Sequence, residues 1–228
     1  METAEPILQV EDLQTYFFTR SGVVKAVDGI SFDLRPGETL GIVGESGCGK
    51  SMTAWSILGL VPEPAGRIVG GRILYRGENL LEKSDAEMRE IRGRNICMVM
   101  QDPLTSLNPA FSVGEQLVES LRMVMGRAGS ELRRRATELL ASVNIPAPES
   151  RLSSYPHQMS GGMRQRVVGA ISMALSPSLL IADEPTTSLD ATIQLQYLRL
   201  LKQIQEETGA AIIFITHDFG IVAHMCTR

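Results

Sequence analysis

Apolar and polar residues alternate with a period of two early in the chain. Leu8-Gln9-Val10 and Ile30-Ser31-Phe32-Asp33-Leu34 each put their apolar side chains on one face, as half-buried strands do. Arg35-Pro36-Gly37-Glu38 reads as a turn. Residues 39–43 form a short apolar run that predicts a buried strand, and residues 52–58 after it suit a helix. Residues 70–77 predict a further strand between turns. Residues 84–92 predict a short polar helix capped by Ser84, with Glu87 three residues on. Residues 95–101 return to strand. Helical spacing then runs from about residue 113 to 143, punctuated by Gly114, Gly126 and Gly129. Residues 144–156 hold three prolines and predict a loop. A helix over 160–175, a strand over 179–182, a helix over 192–207 and a strand over 211–215 complete the pattern.

Strands that alternate with helices predict a largely parallel sheet. The helical middle predicts a second lobe inserted between two halves of that sheet. The chain ends at Arg228 within helical spacing, leaving the apolar face of Ile221, Val222 and Met225 with little sequence to follow. It therefore reads as part of a longer polypeptide.

Composition narrows the class. The 228 residues are 43% hydrophobic and 21% charged, an ordinary globular balance for one large domain or two small lobes. Net charge is −4, so there is no broad basic excess and no nucleic-acid partner is expected. Arg133-Arg134-Arg135 lies between Glu131 and Glu138 and reads as a solvated helix face. The three cysteines, Cys48, Cys97 and Cys226, show neither zinc spacing nor C-x-x-C, which fits a reducing compartment. The first ten residues lack a signal-peptide pattern, and no apolar run approaches the ~20 residues that cross a bilayer. Any membrane role is therefore expected to be peripheral.

Two segments carry the chemistry. Gly44-Glu45-Ser46-Gly47-Cys48-Gly49-Lys50-Ser51 fills every position of G-x-x-x-x-G-K-[ST], between a predicted strand and a predicted helix. Its glycines let backbone N–H groups turn inward around an anion, and Met52 continues into the helix. Lys50 brings a compact charge for the β- and γ-phosphates, and Ser51 a hydroxyl for Mg²⁺. Further on, Leu179-Leu180-Ile181-Ala182-Asp183-Glu184 ends an apolar strand in two acids, at the sheet edge where α/β proteins bind ligands. Asp183 is expected to hold Mg²⁺ and Glu184 to polarise the attacking water. His217 follows the last predicted strand and could reach a γ-phosphate; His157 and His224 read as loop and helix surface.

Ser160-Gly161-Gly162 opens a helix and offers a second cluster of N–H donors. One nucleotide has one set of phosphates, and the first loop already wraps them. Two cradles on one chain make sense if the second serves a nucleotide held by another copy, which points to a head-to-tail pair sandwiching ATP.

Together these residues, in this order and spacing, resemble the nucleotide-binding domain of ATP-binding cassette (ABC) transporters, over essentially the whole chain from Ile7. The resemblance implies an α/β fold: a P-loop NTPase core with a mixed, mainly parallel sheet, an N-terminal antiparallel β subdomain and an inserted helical subdomain. As a single domain, residues 1–101 and 164–228 would form the core and 102–163 the helical part. Gln101 looks like the loop glutamine that touches Mg²⁺ and water and senses the membrane subunit. Ser160, Gly161 and Gly162 look like the signature that contacts the γ-phosphate across the dimer. Asp190 resembles the loop acid linking the two sites, and Phe17, or its neighbour Tyr16, the aromatic that stacks on adenine. The stretches Gln101-Asp102-Pro103-Leu104-Thr105-Ser106-Leu107-Asn108-Pro109 and Tyr155-Pro156-His157-Gln158-Met159-Ser160-Gly161-Gly162-Met163 resemble the oligopeptide, dipeptide and nickel uptake group. Met163 departs from the general pattern, which has glutamine there; methionine donates no hydrogen bond. That branch usually continues well past residue 228, often with a cysteine-rich region proposed to hold an iron–sulfur cluster, and this chain contains none of it.

The expected activity is ATP hydrolysis, with Mg²⁺, coupled to import of peptides or related small solutes. Expected partners are a second ATPase subunit, membrane permease subunits and, indirectly, an extracellular solute-binding protein, with the chain on the cytoplasmic face of the membrane. Three rivals remain. A DNA-repair or chromosome-organising head would be split by long heptads or zinc modules. A regulatory subunit that binds ATP without turnover would not need Glu184 and His217. A simple kinase would need neither the Ser160 helix nor a second copy.

Overall fold

The computed structural model describes residues 5–100, 106–126, 129–187 and 191–228. Two sheets organise it. Strands β1 (Leu8–Thr19), β2 (Gly22–Leu34), β4 (Gly66–Tyr75) and β5 (Glu78–Asn79) form an antiparallel sheet in the order β2-β1-β4-β5. Strands β3 (Thr39–Val43), β6 (Ile96–Val99), β7 (Leu179–Asp183) and β8 (Ala211–Thr216) form the second in the order β3-β8-β7-β6, with every pair parallel. Parallel and antiparallel strands are thus sorted into separate sheets.

Burial explains why the parallel strands read as unbroken apolar runs. Along β7, Leu179 and Ile181 face one core and Leu180 and Ala182 the other. Along β8, Ala211, Ile213 and Ile215 share the first core, and Ile212 and Phe214 the second. A strand covered on both faces has no polar side to display. The first core is closed by β1, β4 and helix α1 (Lys50–Ile57). The second is closed by the helices α3 (Val113–Met125), α4 (Ser130–Ser142), α6 (Gly161–Leu175), α7 (Ala191–Thr208) and α8 (Phe219–Met225). Two short helices, α2 (Asp85–Ile91) and α5 (Pro148–Arg151), lie in the connections.

Ser84 caps α2 as its sequence predicts: its hydroxyl accepts from the Glu87 N–H, and the Glu87 carboxylate accepts from the Ser84 N–H. Ser112 and Glu115 repeat the device on α3. The arginine run forms an exposed face, with Arg134 and Arg135 both paired to Glu138.

Several boundaries differ from expectation, each for a local reason. β1 does not stop at Val10; it runs on to Thr19 past a register shift after Val10, where Asp12 takes a φ of 46°. The bulge breaks the period of two and hides the second half of the strand. β4 starts at Gly66, before the expected residue 70, and Gly71 (φ 93°) within it faces the carbonyls of Glu11 and Asp12 at that bulge. Gly114 does not interrupt the helical stretch. It sits in the first turn of α3 with the Leu152 carbonyl 2.6 Å from where a Cβ would be. The break between α3 and α4 comes instead from Gly126 and Gly129, both at positive φ. The expected loop over 144–156 contains α5, which carries Pro148 in its first turn.

The chain does not end inside a helix as expected: α8 stops at Met225, with its Ile221 and Met225 buried in the helical core. Residues 227 and 228 then run beside β3. The Thr227 N–H donates to the Thr39 carbonyl (2.8 Å), and the Gly41 N–H to the Arg228 carbonyl (2.7 Å). The Arg228 guanidinium reaches Glu38 and Asp33. Among the described residues, no helix is long and apolar enough to cross a membrane.

Candidate active site

The three parallel strands β3, β8 and β7 end side by side, with Val43 opposite Thr216 and Asp183 opposite Ile215. The phosphate loop, the acids that end β7 and His217 gather at that edge. Beyond β3, residues 44–49 form the phosphate loop and α1 begins at Lys50. Gly47 and Gly49 adopt left-handed backbone (φ 85° and 97°), which side-chain-bearing residues resist. Gly49 is held for a second reason: the Ala26 carbonyl of β2 lies 2.1 Å from where its Cβ would be. The antiparallel sheet therefore braces the loop directly. Glu45, Ser46, Gly47 and Cys48 are exposed, Gly44 is half-buried, and Met52 packs partly against the first core.

Lys50 is buried, and its ammonium donates to the Gly44 and Glu45 carbonyls at 2.8 Å each. The same ammonium lies 3.9 Å from Glu184 Oε1, although the two residues are far apart in sequence. Ser51 donates its hydroxyl to Asp183 Oδ1 at 3.0 Å. Burial pushes the Asp183 carboxyl above the ordinary aspartate range, and Glu184 adds to the push. The Ser51 hydrogen bond and the Lys50 charge oppose it. A buried carboxylate beside a hydroxyl is an oxygen donor pair that suits a small hard cation able to keep its waters and phosphate ligands, as Mg²⁺ does.

Glu184 sits just past β7 with a φ of 44°, and its N–H donates to the Ile215 carbonyl at 2.9 Å. Its Oε2 lies 3.4 Å from His217 Nδ1 and accepts from the Thr187 hydroxyl at 2.9 Å. The sequence assigns Glu184 and His217 separately, whereas the fold brings them into contact. Thr187 belongs to no motif in the sequence. The only signal for it is a hydroxyl residue three positions after the glutamate, in a turn.

Other expected residues lie elsewhere. Ser160 caps α6, its hydroxyl accepting from the Met163 N–H at 3.3 Å, and Ser160 and Gly161 are exposed to solvent. Gly162 packs toward Ile193 at the start of α7, and Met163 packs against the helical core. Phe17 pairs with Gly66 on β4, and Tyr16 with Lys25 on β2, one residue from the Ala26 that braces the loop. Tyr16 also donates to Asp28 and lies beneath the Lys25 ammonium. His157 is exposed and stacks with Tyr155, and His224 is exposed on α8. Gln101 and Asp190 fall outside the described residues.

Thiol accessibility tests the loop. Cys48 is exposed beside the phosphate cradle, its Sγ 3.9 Å from the Lys50 ammonium. Cys97 is buried, its thiol pushed up to about 12, and Cys226 is half-buried and likewise raised by burial. N-ethylmaleimide is expected to label Cys48 first and abolish nucleotide binding, with ATP protecting. Stoichiometric labelling of Cys48 without loss of binding would refute the assignment of this loop.

Comparison with known proteins agrees with this geometry. A family model described as ABC transporter matches residues 27–187. A probable peptide ABC transporter ATP-binding protein of Sinorhizobium fredii is 51% identical over 225 residues, covering 99% of this chain and 67% of that protein. The dipeptide transport ATP-binding protein DppD of Bacillus subtilis is 50% identical over 224 residues (98% of this chain, 67% of that protein). The oligopeptide transport ATP-binding protein OppD of the same species is 50% identical over 222 residues, covering 97% of this chain and 62% of that protein. The chain thus spans about two thirds of the length of these relatives. Among solved structures, the ATP-binding cassette MJ0796, in a dimeric post-hydrolysis state bound to ADP and Pi, superposes with a TM-score of 0.81 at 27% identity. That match covers 94% of this chain and 89% of the other. A phosphate loop braced by an antiparallel sheet, the acids at the end of β7, the family match and these identities lead to one conclusion: the chain belongs to the ABC transporter family.

Proposed function

We propose that this chain is the ATP-hydrolysing subunit of an importer for peptides or related small solutes, and that it works as a pair closed around two nucleotides. The observation that carries the reading is the convergence of Lys50, Ser51, Asp183, Glu184 and His217 at one sheet edge. The loop N–H groups and Lys50 bind the phosphates, Lys50 exchanging the Gly44 and Glu45 carbonyls for phosphate oxygens. Ser51 and Asp183, with Gln101, would hold Mg²⁺, which supplies charge neutralisation when bound. Glu184 accepts the proton of the attacking water, and His217, already against that carboxylate, orients it toward the γ-phosphate. Phe17 stacks on adenine. Ser160, Gly161 and Gly162 serve the nucleotide of the partner copy, and Asp190 links the two sites.

The names of the relatives support peptides as cargo, and permease subunits and an external binding protein follow as partners. The chain then works at the cytoplasmic face of the membrane, held there by those subunits. Reconstitution of the full-length protein with its membrane partners in liposomes tests this. ATP-dependent uptake of a labelled di- or oligopeptide is the expected result. Vigorous ATP hydrolysis with no peptide or small-solute uptake would overturn the transport assignment.

A further inference from the structure

Gln165 lies in the second turn of α6, five residues after Ser160, and is only 2% exposed. Its amide Nε2 donates to the Pro185 carbonyl at 3.5 Å, the outer limit of a hydrogen bond. Its Oε1 is sealed from solvent and has no hydrogen-bond partner among the described residues. An unsatisfied buried acceptor costs free energy, so this amide is poorly served in the conformation described. A packing role alone would be better filled by an apolar side chain of the same shape.

What the amide touches gives it meaning. Pro185 is the residue after Glu184, whose backbone is left-handed at φ 44° and whose carboxylate faces Lys50, Thr187 and His217. Gln165 therefore spans from the helix that begins at Ser160 to the peptide that aims the catalytic carboxylate. The first two turns of α6 also meet α7, where Gly162 lies against Ile193, and the loop after α4, where Arg166 donates to the Asn144 carbonyl. A tilt of α6 reaches Glu184 through Gln165.

We infer that Gln165 is a positioning residue that couples engagement of the Ser160 end of α6 with the partner's nucleotide to the aim of Glu184 in the same chain. The inference rests on the proposed function, since it requires a second nucleotide at Ser160. The under-satisfied amide marks a contact with two arrangements, one loose as described and one tightened when α6 is engaged.

The test uses the full-length protein in its assembled membrane complex and Gln165→Met, which keeps side-chain length and removes the amide. The expected result is an unchanged KM for ATP and melting temperature, with kcat lowered at least about tenfold. Ser160→Ala should then lower kcat less in the Gln165→Met background than in the wild type, the signature of residues acting as a unit. Gln165→Asn, an amide too short to reach Pro185, should behave as Gln165→Met does and covers the case in which methionine disturbs folding. Wild-type kcat in both variants, additive effects with Ser160→Ala, or losses explained by a lowered melting temperature would overturn the coupling and leave the proposed function standing. A wild-type complex that does not hydrolyse ATP would remove the proposed function itself, and the coupling with it.

Discussion

Glu184→Gln is expected to leave ATP binding intact and to lower turnover by ~10²–10⁴-fold, the range for loss of a general base. The amide keeps the size and shape of the carboxylate, so it can still accept from Thr187 and follow the same left-handed backbone. What it cannot do is take a proton from water. Binding depends on the loop N–H groups and on Lys50, whose bonds to the Gly44 and Glu45 carbonyls the change leaves in place; Lys50 loses only the charge of Glu184 at 3.9 Å. A pair that closes on ATP and cannot hydrolyse it stays closed, so the variant should accumulate as an ATP-bound dimer on size-exclusion chromatography. Phosphate release within a few-fold of wild type in the assembled complex would sink the base assignment.

Gly49→Ala is the second large effect, and it acts through the fold. The methyl group would meet the Ala26 carbonyl at 2.1 Å, and that atom is backbone held in β2. Left-handed geometry at φ 97° adds ~1–3 kcal/mol of strain for a residue with a Cβ. Overpacking against a rigid neighbour adds ~1–3 kcal/mol more. Together these are a large fraction of the ~5–15 kcal/mol that stabilises a typical domain. The chain can relieve them only by moving the phosphate loop off β2. The melting temperature should fall by several degrees, and ATP should no longer raise it. A variant that melts like wild type and is still stabilised by ATP would show that the loop does not need this contact.

These two positions show what the sequence could and could not reveal. The phosphate loop and the Asp183-Glu184 pair were readable because their chemistry is contiguous: glycines, lysine and serine within eight residues, two acids at the end of one apolar run. Contacts that depend on topology were not. Lys50 meets Glu184 only because β3 and β7 flank β8, and no local pattern encodes that order. The bracing of Gly49 by Ala26 joins two sheets whose separation was equally invisible. The second half of β1 was lost to a bulge at Asp12, where alternation slips by one residue. Gln165 reads in the sequence as one more polar helix residue between two arginines. Its burial follows from the packing of α6, against which propensity and charge pattern give no warning.

The residues beside β3 have a consequence for how molecules of this protein meet one another. β3 is the outermost strand of its sheet, and an outermost strand ordinarily offers a row of unpaired peptide groups to any extended segment from a neighbour. Here Thr227 and Arg228 occupy those groups at Thr39 and Gly41, so the strand that leads into the phosphate loop gives no foothold there for intermolecular β-pairing. At Thr39 and Gly41 the margin of the sheet is thus closed to self-adhesion from within the same polypeptide.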